Sequence, residues 1–213
     1  MALILDISMS LDGFIAGPNQ SLDEPLGEGG EALHDWVVAT PTWQEAHGRQ
    51  PTGDRNVDDD VIGEAIARSG ATIMGRRMFS GGEGPWEDDP NADAWWGDDP
   101  PFHHAVFVLT HHEREPVVKQ GETTFTFVTD GIESALEQAT AAAGDKDVTI
   151  GGGADVAGQY VAAGLVDEMH LHVAPLFLGG GARLFEEQPP RALELAGVIE
   201  SPSGVTHLRY RVA

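Results

Sequence analysis

Cysteine is absent from the 213 residues of the chain. Its absence excludes disulfides, thiolate metal ligands and cysteine nucleophiles, although it does not identify a cellular compartment. Long apolar runs are absent too, since no stretch reaches the roughly 18 residues that a membrane span needs. The first residues, MALILDISMSLDGF, carry no basic leader before a short apolar stretch that Asp6 interrupts. We therefore expect a cytoplasmic protein with no membrane partner.

Positive charge is scarce, because the chain has 12 basic and 35 acidic side chains and a formal net charge of -23. A polyanion binds through a basic face that releases its counterions, so we expect no nucleic-acid partner. The few basic residues gather after strand-like runs, at Arg76 and Arg77 and again from His111 to Arg114. These two clusters are candidates for binding a small anion. The alternative is that their arginines pair with surface carboxylates.

The order of the predicted elements indicates one domain over residues 1–213 with a mixed α/β sheet. Strands separated by helices favour parallel pairing, and the last two strand-like runs favour an antiparallel hairpin. We therefore predict a mostly parallel sheet flanked by helices, with an antiparallel C-terminal pair. The predicted strands are 2–8, 71–75, 105–110, 123–129, 147–150, 166–178, 191–201 and 204–213, and the predicted helices include 31–47 and 57–69.

Residues 81–102 form a loop rich in Trp, Asp and Gly. The loop is long for a compact domain, so it is a lid, an interface element or a mobile segment. Its tryptophans are too apolar for a freely solvated loop, which favours packing on a partner or over a substrate pocket.

A glycine triplet, Gly151 to Gly153, lies between a strand-like run and a helix-like segment. Backbone N–H groups and the helix dipole at such a turn favour an anion, especially a dinucleotide pyrophosphate. The triplet lacks the spacing of a Rossmann turn or a P-loop, so alone it fits a flexible turn better. The strand ends TIMGRR and VLTHH add donors and positive charge, and together the three favour a phosphate cradle. A second triplet, in LFLGGGARLF, precedes no helix and is predicted to be a bend or bulge.

Four motifs occur in one order along the chain: SMSLDGFIAGP, TIMGRRMF, VLT and VTIGGGADVAGQYVAAGLVDEMHLHVAPLFLGGGARLF. In that order they resemble the reductase domain of the bifunctional riboflavin-biosynthesis deaminase-reductases, which shares the dihydrofolate reductase fold. The resemblance extends from about residue 3 to residue 212 and is strongest in the C-terminal half. The zinc-binding motifs of the deaminase half have no counterpart here, so we expect a stand-alone reductase-like member.

The resemblance implies that NADPH binds at the C-terminal edge of the sheet. It also implies hydride transfer to a pterin-like or ribosylaminopyrimidine-like substrate and a homodimer that pairs through a sheet edge, with the strand 166–178 and the final hairpin as candidates. The alternative is an NADPH- or nucleotide-binding protein with little or no reductase activity. The implied cofactor-binding residues are Ile15, Ala16, Gly17, Gly75, Arg76, Arg77, Met78, Thr110, His111, Gly151, Gly152, Gly153, Ala154, Asp155 and Val156.

Asp6 and Ser8 are candidates for the substrate side because alternation along the first strand places them on one face. A carboxylate in an apolar strand must be hydrogen-bonded or protonated, which makes a raised pKa and a catalytic role for Asp6 one interpretation. The other interpretation is that Asp6 bonds a neighbouring backbone group. Ser8 is predicted to contact the substrate.

Asp35 and Trp36 are candidates because dihydrofolate reductases place a catalytic carboxylate on their first helix. We predict a catalytic Asp35 and a substrate-binding Trp36, although the pair also fits a solvated residue and a core aromatic. His170 and His172 alternate on one face of a strand, and we predict that His170 binds substrate and His172 takes part in catalysis. Two such histidines also suggest a metal, but no third ligand has suitable spacing, so no metal is expected.

Overall fold

The computed structural model of the protein describes residues 1–186 and 188–212. Ala213, the last residue of the final predicted strand, lies outside them. The strands are β1 Leu3–Ser10, β2 Phe14–Ala16, β3 Ser69–Gly75, β4 Ala105–Leu109, β5 Val117–Val118, β6 Thr124–Val128, β7 Asp147–Gly152, β8 Glu168–Ala174, β9 Ala182–Arg183, β10 Leu193–Glu200 and β11 Thr206–Val212. The helices are α1 Asp35–Val38, α2 Pro41–Ala46, α3 Val57–Arg68, α4 Arg76–Ser80, α5 Ile132–Ala143 and α6 Ala154–Ala163, with 3-10 turns at Gly30–His34 and Trp86–Asp88.

Within the described residues, the main sheet has the strand order β10-β11-β8-β1-β7-β3-β4-β6-β5, and β2 pairs with β9 separately. The run from β8 to β6 is parallel, whereas β10, β11 and β5 pair antiparallel with their neighbours. The predicted mixed, mostly parallel fold with an antiparallel C-terminal pair is confirmed. The carboxyl ends of β1, β7, β3 and β4 therefore meet at one edge, which is where ligands bind in open α/β sheets.

The predicted strand 166–178 differs from the observed β8. The strand stops at Ala174, before Pro175, whose ring removes a backbone donor. It also lies between β1 and β11, so it cannot offer a free sheet edge. The edge strands are β10 and β5, and of the two predicted candidates only the final hairpin supplies one.

The predicted helix 31–47 is broken into a 3-10 turn and two short helices. The side chain of Thr40 accepts a hydrogen bond from the backbone N–H of Trp43, and Pro41 follows at the first helical position. Proline suits that position and interrupts any helix that continues through it, which explains the break. The other predicted helix, 57–69, is observed as α3, which begins after the N-cap Asn56.

The two faces of the sheet differ in character along β1. Leu3, Leu5 and Ile7 pack into the main core with α5 and α6. The intervening residues face α1 and α3, where Trp36, Leu33 and Val61 form a second cluster. Asp6 and Ser8 lie on this second side, as the alternation predicted. No helix among the described residues is long and apolar enough to cross a membrane.

The Trp-rich loop packs on the chain's own sheet. Trp86 meets Phe79 and Phe127 in edge-on contacts, and Trp96 meets Phe102 in the same way. Trp95 donates its indole N–H to the carbonyl of Met78 at 2.8 Å. These contacts bury part of the apolar surface of the three tryptophans within one chain.

The second glycine triplet forms a bend at Gly180 and Gly181, as predicted, in the loop that joins β8 to β9. Gly181 has a φ of +115°, and a Cβ there would lie 2.1 Å from the carbonyl oxygen of Ala16. Gly180, by contrast, has open space around its Cβ direction. Within this triplet, the close backbone approach that excludes a side chain is therefore at Gly181.

Candidate functional site

Glycines from two neighbouring strands meet at the carboxyl edge of the sheet and form what we call the glycine corner: Gly75, Met78 and Gly151 to Gly153. A Cβ at Gly75 would lie 3.0 Å from Cγ2 of Val156 and 3.6 Å from the backbone nitrogen of Gly153. Gly152 has a φ of +135°, a region that side chains disfavour, and the peptide bond to Gly153 is cis. A Cβ at Gly152 would lie 3.4 Å from the sulfur of Met78.

The glycine corner fits a phosphate group. Gly153 precedes α6 and provides no side-chain cap, so the first-turn N–H groups of Ala154, Asp155 and Val156 have no side-chain partner from that position. A Cβ built on Gly153 would meet nothing within 4 Å, which leaves room beside the helix start. Free donors, the helix dipole and open space are the properties of an anion-binding turn.

Contrary to the prediction, Arg76 does not present its guanidinium to the glycine corner. Its side chain is buried, bonds Ser80 and Asp89, and lies over the ring of Trp86 with 3.6 Å between the guanidinium carbon and the ring centroid. Asp89 is itself only 2% exposed, so this is a buried ion pair. Arg76 therefore secures the Trp-rich loop, and the alternative of arginine–carboxylate pairing applies to it.

The remaining predicted cations differ in how firmly they are held. Arg114 bonds the carbonyl of Ala92 and the carboxylate of Asp93, so it too anchors the loop. Arg77 pairs with Glu83 at the surface, where the two side chains are 56% and 62% exposed. An exposed pair of this kind exchanges partners at little cost, which leaves Arg77 available to an anion.

Thr110 and His111 follow the end of β4, as predicted. The backbone N–H of Thr110 donates to the carbonyl of Val128 at 3.1 Å, and its hydroxyl accepts from the N–H of His112 at 3.2 Å. His111 is exposed. The strand end therefore holds Thr110 in place and leaves the imidazole of His111 free for a ligand at this edge.

The segment Ile15 to Gly17 leads into a closed loop. Ile15 and Ala16 are buried in β2, and a Cβ at Gly17 would lie 2.0 Å from the carbonyl oxygen of Glu28. Gly17 is therefore required for the close approach of the loop's two ends. No described contact joins this segment to the glycine corner.

An open cleft of about 300 Å³ borders α4, between the Trp-rich loop and the loop after β2. Its size is at the lower limit for a small-molecule site. Trp95 and Leu22 provide apolar walls, and Arg77 and Glu83 provide charge. The lining residues are Gln20, Ser21, Leu22, Pro25, Arg77, Gly81, Glu83 and Trp95.

Four side chains on the α3 side of the sheet form a continuous hydrogen-bonded row, which we call the histidine chain: Asp6, His172, His207 and Asp58. Nε2 of His172 lies 3.0 Å from Oδ1 of Asp6, and its Nδ1 lies 2.7 Å from Nδ1 of His207. Nε2 of His207 lies 2.8 Å from Oδ1 of Asp58. The pairing of β8 with β11 creates the row, because it sets His172 opposite His207.

Asp6 is ionised in this arrangement rather than protonated. Burial raises the pKa of Asp6, but the charge of His172 and hydrogen bonds from His170 and His172 together bring it well below its ordinary value. The raised pKa expected for Asp6 is therefore wrong, since two histidines face the carboxylate. His170 lies 3.5 Å from Asp6 through Nδ1 and 3.2 Å from Glu168 through Nε2.

The other predicted substrate residues are only partly brought together. Trp36 is buried, donates its indole N–H to the Ser8 hydroxyl at 3.1 Å and packs on both His172 and His207. Asp35 is exposed at the start of α1 and bonds none of these side chains, so the structure does not place it with them. A cavity of about 10 Å³ borders Asp6, His170 and Arg209, which is the room that one water molecule needs.

Sequence reasoning missed two members of the histidine chain. Asp58 belongs to an acidic triplet that is typical of a helix start, so the sequence gives no sign of a further role. In the structure its side chain is only 3% exposed and faces inward. His207 alternates with Leu208 in the last strand, and only the pairing of β11 with β8 shows that it faces His172. Among the described residues no group of acids, histidines or cysteines has the geometry to hold a metal ion.

The chain as a whole is similar to known proteins. The family model described as the RibD C-terminal domain matches residues 1–207. The chain is also 25% identical over 215 residues to YyaP of Bacillus subtilis (strain 168), an uncharacterised protein, covering 98% of this chain and 93% of that one.

Solved structures share the fold. A candidate riboflavin biosynthesis protein from Shewanella sp. PV-4 has a TM-score of 0.66 and 23% identity, covering 100% of this chain and 99% of that one. A diaminohydroxyphosphoribosylaminopyrimidine deaminase/5-amino-6-(5-phosphoribosylamino)uracil reductase from Thermotoga maritima has a TM-score of 0.57 and 14% identity. The match covers 100% of this chain and 56% of the Thermotoga protein.

Proposed function

The chain belongs to the RibD C-terminal domain family, and on that premise we propose that it is an NADPH-dependent reductase. It would transfer a hydride to a pterin-like or ribosylaminopyrimidine-like substrate, in a reaction of riboflavin biosynthesis or one closely related to it. The Thermotoga protein, named a uracil reductase of this type, supports the substrate class.

The glycine corner is the observation that carries the proposal. It lies at the carboxyl edge of parallel strands, where α6 offers first-turn donors and Gly153 leaves open space. Gly152, Gly153 and the first turn of α6 would hold the pyrophosphate, because no side chain separates the backbone from the ligand there. The bound cofactor would supply the hydride, and the protein would supply orientation and a proton.

The preference for NADPH over NADH rests on the positive charge that remains available near this edge. The 2'-phosphate needs a cation or a strong donor. Arg77, His111 and the Thr110 strand end are the groups that we propose for this role, since Arg76 and Arg114 are occupied by Asp89 and Asp93. We therefore assign the adenosine end of the cofactor to the first three.

A screen of cofactor oxidation tests the proposal. The purified protein is mixed with NADPH or NADH, and absorbance at about 340 nm is followed after addition of dihydrofolate, oxidised pterins, a ribosylaminopyrimidine phosphate or quinones. The reductase proposal expects oxidation of NADPH with a pterin or an aminopyrimidine and slower oxidation of NADH. A folded sample that NADPH stabilises and that oxidises it with none of these compounds would contradict it.

The burial of Trp36 favours a second candidate, a nucleotide-binding protein with little reductase activity. Trp36 is 4% exposed and covers His172, and the cavity beside Asp6 has room for only about one water molecule. A substrate ring reaches Asp6 only if this segment moves. The two candidates share NADPH binding and differ in turnover, so the same screen separates them.

We also propose that two copies pair through β10. This edge strand exposes Leu193, Leu195 and Val198, which are 41%, 54% and 50% accessible. In the register of β10 with β11, these three side chains lie opposite Val212, Tyr210 and Leu208 and therefore on the same face of the sheet. An exposed apolar edge invites pairing with another strand, and a second copy offers an identical one.

A further inference from the structure

The Trp-rich loop, residues 81–102, contacts two segments that follow the carboxyl ends of neighbouring strands. One is α4, which begins where β3 ends, and the other is residues 110–114, which follow β4. β3 and β4 pair in parallel, so their carboxyl ends lie side by side. Both segments contain residues that we have assigned to the cofactor, and the contacts of the loop with them come from two of its tryptophans.

Trp86 ties the loop to the segment after β4. Its indole N–H donates to the carbonyl of His112 at 3.0 Å, and the backbone N–H of His112 donates to the Thr110 hydroxyl at 3.2 Å. The guanidinium of Arg114 lies over the same indole, with its carbon 4.9 Å from the ring centroid. The peptide units on both sides of His112 are therefore held, and with them the backbone of His111.

Trp95 ties the loop to α4. Its indole N–H donates to the carbonyl of Met78 at 2.8 Å. The side chain of Met78 in turn reaches the glycine corner, because a Cβ at Gly151 would lie 3.2 Å from its Cε and a Cβ at Gly152 would lie 3.4 Å from its sulfur. Trp95 therefore supports the side of the site assigned to the pyrophosphate, whereas Trp86 supports the side assigned to the 2'-phosphate.

Trp96 differs from both, although it belongs to the same loop. Its indole N–H is buried and has no hydrogen-bond partner among the residues that the structure describes. Its ring packs edge-on against Phe102, with 5.0 Å between the ring centroids. Trp96 thus contributes apolar packing, which a phenylalanine can supply, whereas Trp86 and Trp95 each contribute a donor, which a phenylalanine lacks.

We propose that Trp86 and Trp95 are positioning residues for the cofactor, and that Trp86 sets the preference for NADPH over NADH. The inference rests on the cofactor site of the proposed function. The 2'-phosphate is the group that distinguishes the two cofactors, and the segment that Trp86 holds is the one assigned to it. A segment that is already fixed loses little conformational freedom when a ligand binds, which raises affinity. Support beneath the pyrophosphate serves both cofactors equally.

The test measures dissociation constants of NADPH and NADH for the wild-type protein and three variants, at a temperature where thermal melts show each to be folded. Trp86→Phe should weaken NADPH binding about 5-fold, the order of one lost hydrogen bond, and NADH binding less than about 2-fold. Trp95→Phe should weaken both by the same factor. Trp96→Phe is the control and should change neither. A purely structural role of Trp86 would leave the ratio of the two constants unchanged.

A second substitution at position 86 separates the donor from the ring. The guanidinium carbon of Arg76 lies 3.6 Å from the centroid of the Trp86 ring, so Trp86→Phe alters this contact as well as the hydrogen bond. Incorporation of 3-benzothienylalanine in place of Trp86 keeps a bicyclic ring and replaces the N–H by sulfur. This protein should show the same loss of discrimination. Discrimination equal to that of the wild-type protein would overturn the proposal.

Hydrogen exchange without any ligand tests the contacts themselves. Peptides that span residues 110–116 should exchange faster in Trp86→Phe than in the wild-type protein. Peptides that span residues 76–81 should exchange faster in Trp95→Phe, and Trp96→Phe should match the wild-type protein in both. Equal exchange in all four proteins would mean that the two indole donors hold neither segment, which would overturn the proposal.

The outcomes distinguish this inference from the proposed function. If the wild-type protein oxidises NADPH and Trp86→Phe keeps the wild-type ratio of dissociation constants, positioning by Trp86 is wrong and the reductase stands. If the wild-type protein binds NADPH without turnover, the reductase proposal falls, and a lowered ratio in Trp86→Phe still supports this inference. If the folded wild-type protein binds neither cofactor, both fall together.

Discussion

Arg76 lies over the indole ring of Trp86, with its guanidinium carbon 3.6 Å from the ring centroid, and forms a buried ion pair with Asp89. Arg77, its neighbour in α4, pairs at the surface with Glu83. Two adjacent arginines, which the sequence presents as one anion-binding cluster, therefore have different roles. Arg76 holds the Trp-rich loop on the sheet, and Arg77 remains available to a ligand.

Substitution at the two arginines should separate stability from cofactor binding. Arg76→Gln leaves Asp89 buried without its cation and should lower the free energy of unfolding by about 3 kcal/mol or more. Arg77→Gln removes an exposed pair and should cost less than about 1 kcal/mol, while weakening NADPH binding. Urea denaturation and NADPH titration measure the two effects. Equal losses of stability in the two variants would contradict the assignment.

The second glycine triplet offers a matched pair of positions. Gly181→Ala places a Cβ 2.1 Å from the carbonyl oxygen of Ala16 at a φ of +115°, so it should destabilise the protein by well over about 1 kcal/mol. Gly180→Ala enters open space and should be nearly neutral. Chemical denaturation of both variants checks this. A strongly destabilised Gly180→Ala would show that the loop is packed differently.

His104 should make the protein less stable as the pH is lowered. Burial lowers the pKa of His104 to about 4, and its Nε2 lies 2.8 Å from the Thr72 hydroxyl. A histidine whose pKa is depressed by folding contributes stability above its unfolded pKa of about 6.5, and this contribution is lost as pH falls from there toward 4.

The measurement is the free energy of unfolding at pH 7 and at pH 5. His104→Asn should reduce the difference between the two pH values by about 2 kcal/mol relative to the wild-type protein. His111→Asn, at an exposed position, is the control and should leave the difference unchanged. An unaltered difference in His104→Asn would mean that the ring titrates normally in the fold.

Pairing through β10 predicts a dimer in solution. The chain has a mass of 22.7 kDa, so light scattering should give twice that value, 45.4 kDa. Leu195→Lys introduces a charge into the exposed apolar edge and should yield the monomer mass. Val118→Lys is the matched control, because Val118 is 75% exposed on β5, the opposite edge. A monomeric Val118→Lys with a dimeric Leu195→Lys would place the interface at the other edge.

Much of the fold follows from local sequence signals. Short apolar runs predict β1 and β4, alternating apolar residues predict β6, and the glycines after α5 and α6 mark the ends of those helices. Helix 31–47 was predicted as one piece because the apolar pattern continues through Pro41, whose backbone effect breaks it. The small strands β2, β5 and β9 were missed because two or three residues carry no periodicity.

The candidate site could be predicted from the sequence only where its residues are close together along the chain. The glycine corner lies within two short motifs, so its members could be named from the sequence. The histidine chain joins residues 149 and 166 positions apart, and its members meet only through the pairing of β1, β8 and β11. The partners of Arg76 likewise come from a loop whose path no local pattern defines.

Gly153 provides the most direct test of the cofactor site. Its Cβ direction is open, so alanine should leave the fold intact while intruding on the space beside α6, whereas Gly152, at a φ of +135°, would be strained by any substitution. Gly180→Ala, also open and remote from the glycine corner in sequence, is the control. The measurement is the rise in melting temperature with saturating NADPH. We predict a clear rise for the wild-type protein and Gly180→Ala and little or none for folded Gly153→Ala. An equal rise in all three, or none in the folded wild-type protein, would contradict NADPH binding at the glycine corner.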